Sequence, residues 1–509
     1  MFSSKIRTFL LALSICLISF QSMGQYNEKY RPQFHFSPQK GWIGDPDGLI
    51  FYKGLYHLFW WGHAVSKDLI HWEELPYPMK GDDGSFVYFT GSVIVDKNNT
   101  AGFGDSTIIA VYTMHKKGTN SEMQALSYST DGINFQFYDK NPVLDIGNTS
   151  FRDPTVFWHT STGRWVMAVS MPDEHKVSFY GSGNLKDWKH LSDFGPMGAH
   201  TAAWEVPDLF QLPVDGNNNN KKWILTVGQG PNRVQYFTGD FDGTQFKPDT
   251  QTIRLNGQSN TPLWIDYGTD FYAARTWRNI GDEASNPVTL LGWMGNWSYA
   301  RQVPTSWGRG FEAVPRILSL KTFKQGLRIV QQPVEGLKKL RQKEVVIGKK
   351  NIAGTVPLKE FEPTTNSYEL NVDLIVNPAT VCGLNLLVGE GRKLTIGYDA
   401  LKEQLFIDRT NCSDFNGDSV FNKKFPAKMA ASLQLTGRRL QLHVLVDKSS
   451  VEVFANNGAV ALSCLTFPSE NQRGLELFSN ATSMQLNSLH AWPLASIWTG
   501  GNPKVFSGN

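Results

Sequence analysis

The sequence predicts an all-β protein, a β-propeller followed by a C-terminal β-sandwich, and three observations carry that expectation. From Arg31 to Leu320, short β-type runs alternate with Gly, Asp and Asn turns. A turn motif recurs inside that region as Ser66-Lys67-Asp68-Leu69-Ile70-His71-Trp72, Ser129-Thr130-Asp131-Gly132-Ile133-Asn134-Phe135 and Ser182-Gly183-Asn184-Leu185-Lys186-Asp187-Trp188. It returns more loosely over Thr238–Phe246. Past Ile352 the pattern becomes period-2 alternation, as in Tyr368–Leu374, Leu440–Val446 and Val451–Phe454.

Taken in order, Met1–Gly24 reads as a secretory signal. Lys5 and Arg7 supply the charged start, Phe9–Phe20 the apolar stretch and Gln21–Gly24 a polar exit. The apolar run is short for a permanent membrane span. Ile15 is bulkier than the small residue expected before a lipidated cysteine at Cys16, so soluble export, secreted or periplasmic, is expected.

Residues 25–330 are then the propeller. In each repeat a strand ends in Ser or Thr, a polar turn follows and an aromatic opens the next strand. The spacing is fairly even and somewhat longer than the about 40–50 residues of a usual blade. A large sandwich with coincidental hairpins is the alternative, and the even spacing weighs against it. The tract Asp215–Lys221 reads as a solvated hairpin loop. Residues 331–350, with helix formers and spaced leucines in Pro333–Arg341, form a short helical linker. Residues 351–509 form the antiparallel sandwich.

Composition agrees with this organisation and excludes several functions. A chain of 509 residues needs two or three structural units. Aromatics at 13%, 46 Gly and only 19% charged residues suit a turn-rich β protein. The net charge of +3 falls to +1 without Lys5 and Arg7, and no basic tract is present, so nucleic acid is not an expected partner. Beyond Cys16, the cysteines are Cys382, Cys412 and Cys464, an odd count without metal-like spacing. Buried thiols are the default for them, with one disulfide and one free thiol the alternative.

Three acidic residues in tight local motifs are the candidates for chemistry: Asp45 in Trp42-Ile43-Gly44-Asp45-Pro46-Asp47-Gly48, Asp153 in Phe151-Arg152-Asp153-Pro154, and Glu205 in Trp204-Glu205-Val206-Pro207-Asp208. Hydrolysis of a glycosidic bond needs paired carboxyl groups, one ionised and one held protonated. Pro46 pushes Asp45 toward extended backbone. Arg152-Asp153 is also what an internal ion pair looks like. Glu205, between Trp204 and Val206-Pro207, is either strand-exposed or raised in pKa as a general acid would be.

Together and in this order these motifs resemble glycoside hydrolase family 32, the invertase, inulinase and levanase group. So do Phe89-Thr90-Gly91-Ser92, Gly292–Trp297, Gln302–Ser306 and Asp447–Phe454, and the resemblance spans essentially the whole mature chain. It implies a five-bladed propeller joined to a sandwich, with the site in the propeller's central funnel. It also implies Asp45 as nucleophile forming a covalent fructosyl intermediate, Glu205 as acid/base, and Asp153 stabilising the oxocarbenium-like transition state with Arg152 beside it. The two reacting carboxyls would stand about 5–5.5 Å apart, the retaining geometry. No metal or organic cofactor is implied. Trp42, Gly44, Trp61, Thr90, Arg152 and Trp293 are the expected substrate-binding positions, with Thr90 and Ser92 able to orient Asp45, and Asp208 expected to fix the Glu205 strand. The substrate would be a fructan or sucrose.

The chain also departs from the family pattern. Gly44 and Asp47 stand where the family usually has Asn, and Val206 stands where Cys often follows the acid/base. Phe59-Trp60 runs almost directly into Trp61-Gly62-His63, without the loop that carries a Gln and a Trp for the fructosyl unit. Two alternatives therefore stand beside a β-fructofuranosidase: a glycosidase for another furanoside or fructosyl linkage, and a carbohydrate-binding protein without turnover.

Overall fold

The computed structural model describes residues 26–79, 84–249, 262–280 and 287–498. The expected leader, Cys16 included, lies outside the described residues. Among the described residues no helix is long and apolar enough to cross a membrane.

The first unit is a five-bladed propeller. Blade one is the meander Gly48–Tyr52, Leu55–Phe59, His63–Ser66 and Trp72–Leu75. Blade two opens with Phe86–Asp96, Thr107–Lys116 and Glu122–Ser129, whose outer side pairs Gln136–Phe137 and Leu144–Asn148. Blade three is Arg152–His159, Arg164–Met171, Lys176–Ser182 and Lys189–Phe194. Blade four runs Trp204–Val214, Asn217–Gln229, Arg233–Phe241 and Phe246–Pro248. Blade five is Tyr272–Thr276, Val288–Trp293, Arg316–Phe323 and Gly326–Pro333. The first strands of the five blades touch in sequence around a ring, the last returning to the first. Closure is by main chain: Phe51 N–H donates to the Arg278 carbonyl at 2.9 Å, and Arg278 N–H to Leu49 at 3.0 Å.

The repeated turn motif joins the third to the fourth strand in each of the first four blades. In every copy a short polar side chain caps the turn backbone. Asp68 Oδ1 accepts from Ile70 and His71 N–H, Asp131 Oδ1 from Ile133 and Asn134, Asn184 Oδ1 from Lys186 and Asp187, and Asp242 Oδ1 from Thr244 and Gln245. These are Asx turns, which explains why Asp or Asn recurs at that spot. The loop expected over Asp215–Lys221 is shorter than that: Asp215-Gly216 alone is a two-residue hairpin turn with φ of 53° and 80°, and the exposed asparagines after it already belong to the strand Asn217–Gln229.

A 3-10 segment, Glu335–Leu340, with Leu337 and Leu340 buried, lies in the connection to the second unit. The linker's helical character is thus that one tight turn, because Pro333 and Arg341 flank it with extended backbone. The second unit is a sandwich organised on one long strand, Gly474–Pro493. Its later part pairs with Tyr368–Ile375, which continues to Arg439–Asp447, Ser450–Ala455 and Val460–Leu465. Its earlier part pairs with Val381–Gly389, which continues to Arg392–Asp399, Gln404–Asp408 and Lys428–Ser432. Leucines, valines and isoleucines at alternate positions of both layers fill the core. Cys382, Cys412 and Cys464 are buried and unbridged, so the disulfide alternative does not hold.

The two units meet over fully buried charge. Arg316 of the propeller binds Asp266 at 2.9 Å and reaches across to Glu452 at 2.6 Å and Ser463 at 2.7 Å. Arg409 of the sandwich binds Asp270 at 2.6 Å. His35 lies between Asp447 and Glu452, 2.8 Å from each. The segment around Gly268 covers the edge strand Val460–Leu465. Thr269 N–H donates to the Ser463 carbonyl, and a Cβ on Gly268 would sit 1.9 Å from that oxygen.

Candidate active site

The site is built where the first strands of the blades break register. Bulges fall between Phe89 and Gly91, Arg152 and Thr155, Glu205 and Asp208, and Tyr272 and Arg275. Three of them place a non-glycine residue in the left-handed region: Asp153 at φ 66°, Val206 at 50° and Ala273 at 52°. A bulge inserts one residue and re-aims its neighbours, so four of the five first strands can turn a polar side chain out of the regular pleat. The strain this entails is of order 1–3 kcal/mol per residue and is held by surrounding bonds. Val206 N–H donates to Asp153 Oδ2 at 3.1 Å, and Asp153 N–H to Thr113 Oγ1 at 2.9 Å.

Asp45, Asp153 and Glu205 come together here, close enough to act on one another's charge. Thr90 Oγ1 donates to Asp45 Oδ2 at 2.9 Å, while Asp45 Oδ1 has no hydrogen-bond partner among the described residues. Asp45 is pushed up to about 6, first by burial and then by Glu205. Asp153 is pushed up to about 8, chiefly by burial, with Arg152 opposing the shift. Glu205 is held at both oxygens: Arg152 Nη2 donates to Oε1 at 2.8 Å and the Tyr272 hydroxyl to Oε2 at 2.6 Å. The apolar setting suggested by its sequence neighbours is therefore only half the picture. Trp204 and Val206 point into the core, while Glu205 faces Arg152 and Tyr272. Arg152 is itself fixed by Glu122, 3.2 Å from Nη1 to both carboxylate oxygens.

The aromatic candidates divide. Trp42 stacks on Trp297 at 5.5 Å and 21° and touches Trp293 at 5.9 Å. Trp293 is 1% exposed and Trp297 40%, so Trp297 presents the open ring face and Trp293 supports it. A Cβ at Gly44 would lie 2.9 Å from Trp42 Nε1; glycine is what lets that indole lie back. Trp61, at φ 54°, donates its indole N–H to the Phe89 carbonyl at 2.8 Å, one residue from Thr90. The connection bearing it is a tight hairpin in which Phe59 pairs with His63.

Ser92 accepts from Val156 N–H at 3.0 Å and ties blades two and three, whereas Thr90 is the one that donates to Asp45. Asp208 accepts from Thr276 N–H at 2.8 Å and from Arg278, joining the Glu205 strand to blade five. His35 belongs to the domain interface. His57 and His63 bind each other at 3.0 Å in a buried pair, and burial drives both toward the neutral form.

Sequence reasoning missed Tyr272, Arg275, Glu122 and Trp297. Arg275 is buried, donates to the Asp153 carbonyl at 3.3 Å and lowers the proton affinity of Asp45, Asp47 and Asp153. Only Trp297 lay inside a motif already singled out.

A propeller whose inner strands bring paired carboxyl groups to one place, under an aromatic wall, defines a carboxylate-dependent glycoside hydrolase. The chain belongs to glycoside hydrolase family 32: residues 35–333 match "Glycosyl hydrolases family 32 N-terminal domain" and residues 336–493 "Glycosyl hydrolases family 32 C terminal". It is 39% identical over 501 residues to a levanase of Bacillus subtilis (strain 168), covering 93% of this chain and 72% of that protein. The crystal structure of exo-inulinase from Aspergillus awamori superposes with a TM-score of 0.84 at 33% identity, over 93% of this chain and 100% of the other. A fructofuranosidase of Schwanniomyces occidentalis complexed with fructosylnystose gives 0.81 at 28% identity, over 93% and 99%.

Proposed function

We propose that the protein is an exported β-fructofuranosidase that releases terminal fructosyl units from levan, inulin or sucrose with retention, through a covalent fructosyl-enzyme. The observation that carries this reading is the asymmetry of the two carboxyls. Asp45 has one oxygen anchored by Thr90 and the other uncommitted, whereas both oxygens of Glu205 are held. A carboxylate with a spare oxygen suits attack at the anomeric carbon. One gripped by a guanidinium and a phenol suits proton transfer at a fixed point.

In the first step Asp45 Oδ1 bonds to the anomeric carbon as the glycosidic bond breaks, and Glu205 gives its proton to the leaving oxygen. In the second, Glu205 takes a proton from water, water adds to the anomeric carbon, and Asp45 leaves as carboxylate. Asp153, beside Arg152 and Arg275, holds sugar hydroxyls as positive charge develops on the ring. Trp297 and Trp42 supply an apolar face for the sugar. The names of the levanase, the exo-inulinase and the fructosylnystose-bound relative support a fructosyl substrate, and the exo-inulinase supports action at the chain end.

A shifted furanoside specificity is favoured by one group of observations: Gly44, Asp47 and the tight hairpin at Trp60-Trp61-Gly62, all on the Asp45 side of the site. Chromatography of products from sucrose, inulin and levan, with Asp45→Asn as control, tests the reading. Free fructose from at least one substrate, absent with the variant, is expected. No product from any of the three would overturn it and turn attention to other furanosides.

A further inference from the structure

Arg152 serves two carboxylates at once. Its Nε and Nη2 donate to Glu205 Oε1 at 3.2 and 2.8 Å, and its Nη1 donates to both oxygens of Glu122 at 3.2 Å. Glu122 opens the third strand of blade two and is 3% exposed. Its Oε2 also accepts the Phe151 N–H at 2.8 Å, one residue before Arg152. Glu122 is thus bound to the bulged start of blade three, and it reaches the reaction only through Arg152.

That sharing answers a conflict in the chemistry. The first step needs Glu205 protonated, but a guanidinium bonded to a carboxylate favours the ionised form, and the Tyr272 hydroxyl on Oε2 acts the same way. Glu122 places a second, buried negative charge on the far side of the same guanidinium, where a low dielectric makes it strong. Burial works against the charge on Arg152, but Asp153, Glu205 and Glu122 together outweigh it. Asp153 and Asp45 face Glu205 with like charge, and Arg275 acts on both of those acids. Against Glu122, His115 stands opposite in the ladder of blade two, with Nδ1 3.6 Å from Oε1. The outer strand of that blade presents the uncharged Asn148 to it.

We propose that Glu122 is a positioning residue for the acid/base: it shares Arg152 with Glu205, and its negative charge lets Glu205 hold a proton at a pH where Asp45 is already ionised. The inference rests on Glu205 being the acid/base of a fructosidase. Glu122 then sets where the alkaline limb of the pH profile falls, because that limb is the loss of the Glu205 proton. With the charge of Glu122 gone, the whole guanidinium acts on Glu205. The proton then leaves at lower pH, and the limb moves down. An anchor that only held Arg152 still would, when weakened, lower the rate at every pH and leave the limb in place.

The test is kcat/KM against pH, on whichever of sucrose, inulin and levan yields fructose, for the wild type, Glu122→Gln and Glu122→Asp. Each is checked for fold by circular dichroism. Gln keeps the size and an acceptor for Arg152 but removes the charge, whereas Asp keeps the charge. The alkaline half-point is expected to move down by about one pH unit in Glu122→Gln, and by less than about half of that in Glu122→Asp. A Gln limb that superimposes on the wild type or moves up would overturn the proposal, as would an Asp limb displaced as far as the Gln one. A second readout needs no substrate: the infrared carbonyl stretch of un-ionised Glu205, identified by its loss in Glu205→Gln. It is expected in the wild type at about pH 6 and should titrate away at lower pH in Glu122→Gln. Its absence from the wild type at that pH would overturn the proposal even if Glu122→Gln fails to fold. A lowered midpoint for this stretch in a protein inactive on all three substrates would uphold the part played by Glu122 and count against the fructosidase reading.

Discussion

At the scale of single residues, the grip on Glu205 decides the chemistry. Tyr272 donates to Oε2 and Arg152 to Oε1, and a hydrogen bond to a charged group contributes about 1.5–3 kcal/mol. Tyr272→Phe is therefore expected to lower kcat roughly 10- to 100-fold with little change in KM, measured by initial rates of fructose release. The acid side of the pH profile belongs to Asp45. Its carboxyl, pushed up to about 6, must be ionised to attack, so kcat/KM should fall as pH drops through that value. Thr90→Val removes the hydroxyl that favours the ionised form and should move this limb upward. Asp45, Asp153 and Glu205 were legible because each sits in a local motif that carries its own signature. Tyr272 and Arg275 were not, because nothing in Phe271–Thr276 marks them. Their position depends on which way a bulged strand turns, and that is settled by blade packing.

At the scale of elements, repetition was readable and the bulges were not. The four Asx turns announce themselves because the side chain that makes the turn is in the turn. Of the bulge residues, Asp153 tolerates positive φ better than most, but Ala273 has no preference for it and Val206, β-branched, actively opposes it. Tertiary bonds enforce them, Asp208 among these. Its carboxylate takes Thr276 N–H, Thr276 Oγ1 and Arg278, fastening the Glu205 strand to blade five. Asp208→Ala would leave those donors without an acceptor and should destabilise by about 3 kcal/mol. Urea unfolding should show a lower midpoint at unchanged slope, with Asp208→Asn in between.

At the scale of the whole molecule, propeller and sandwich were both foreseen from periodicity, but the buried ionic seam between them was not, since its members lie far apart in sequence. His35, held between Asp447 and Glu452, is raised to about 9 from 6.5 despite complete burial. A group raised on folding stabilises fully below its unfolded value, and that contribution is lost as pH rises through the folded one. Thermal stability should therefore decline between about pH 6.5 and 9, by on the order of 3 kcal/mol, and His35→Phe should flatten the decline. Calorimetry across that range checks it.

The measurement that bears most directly on the proposed chemistry is mass spectrometry of Glu205→Ala after exposure to a fructosyl donor with a good leaving group. Without the acid/base, turnover of the intermediate slows by roughly 10²–10⁴, so the enzyme should accumulate one hexosyl adduct on the peptide containing Asp45. Adduct formation on any other residue, or wild-type product released with inverted configuration, would contradict it.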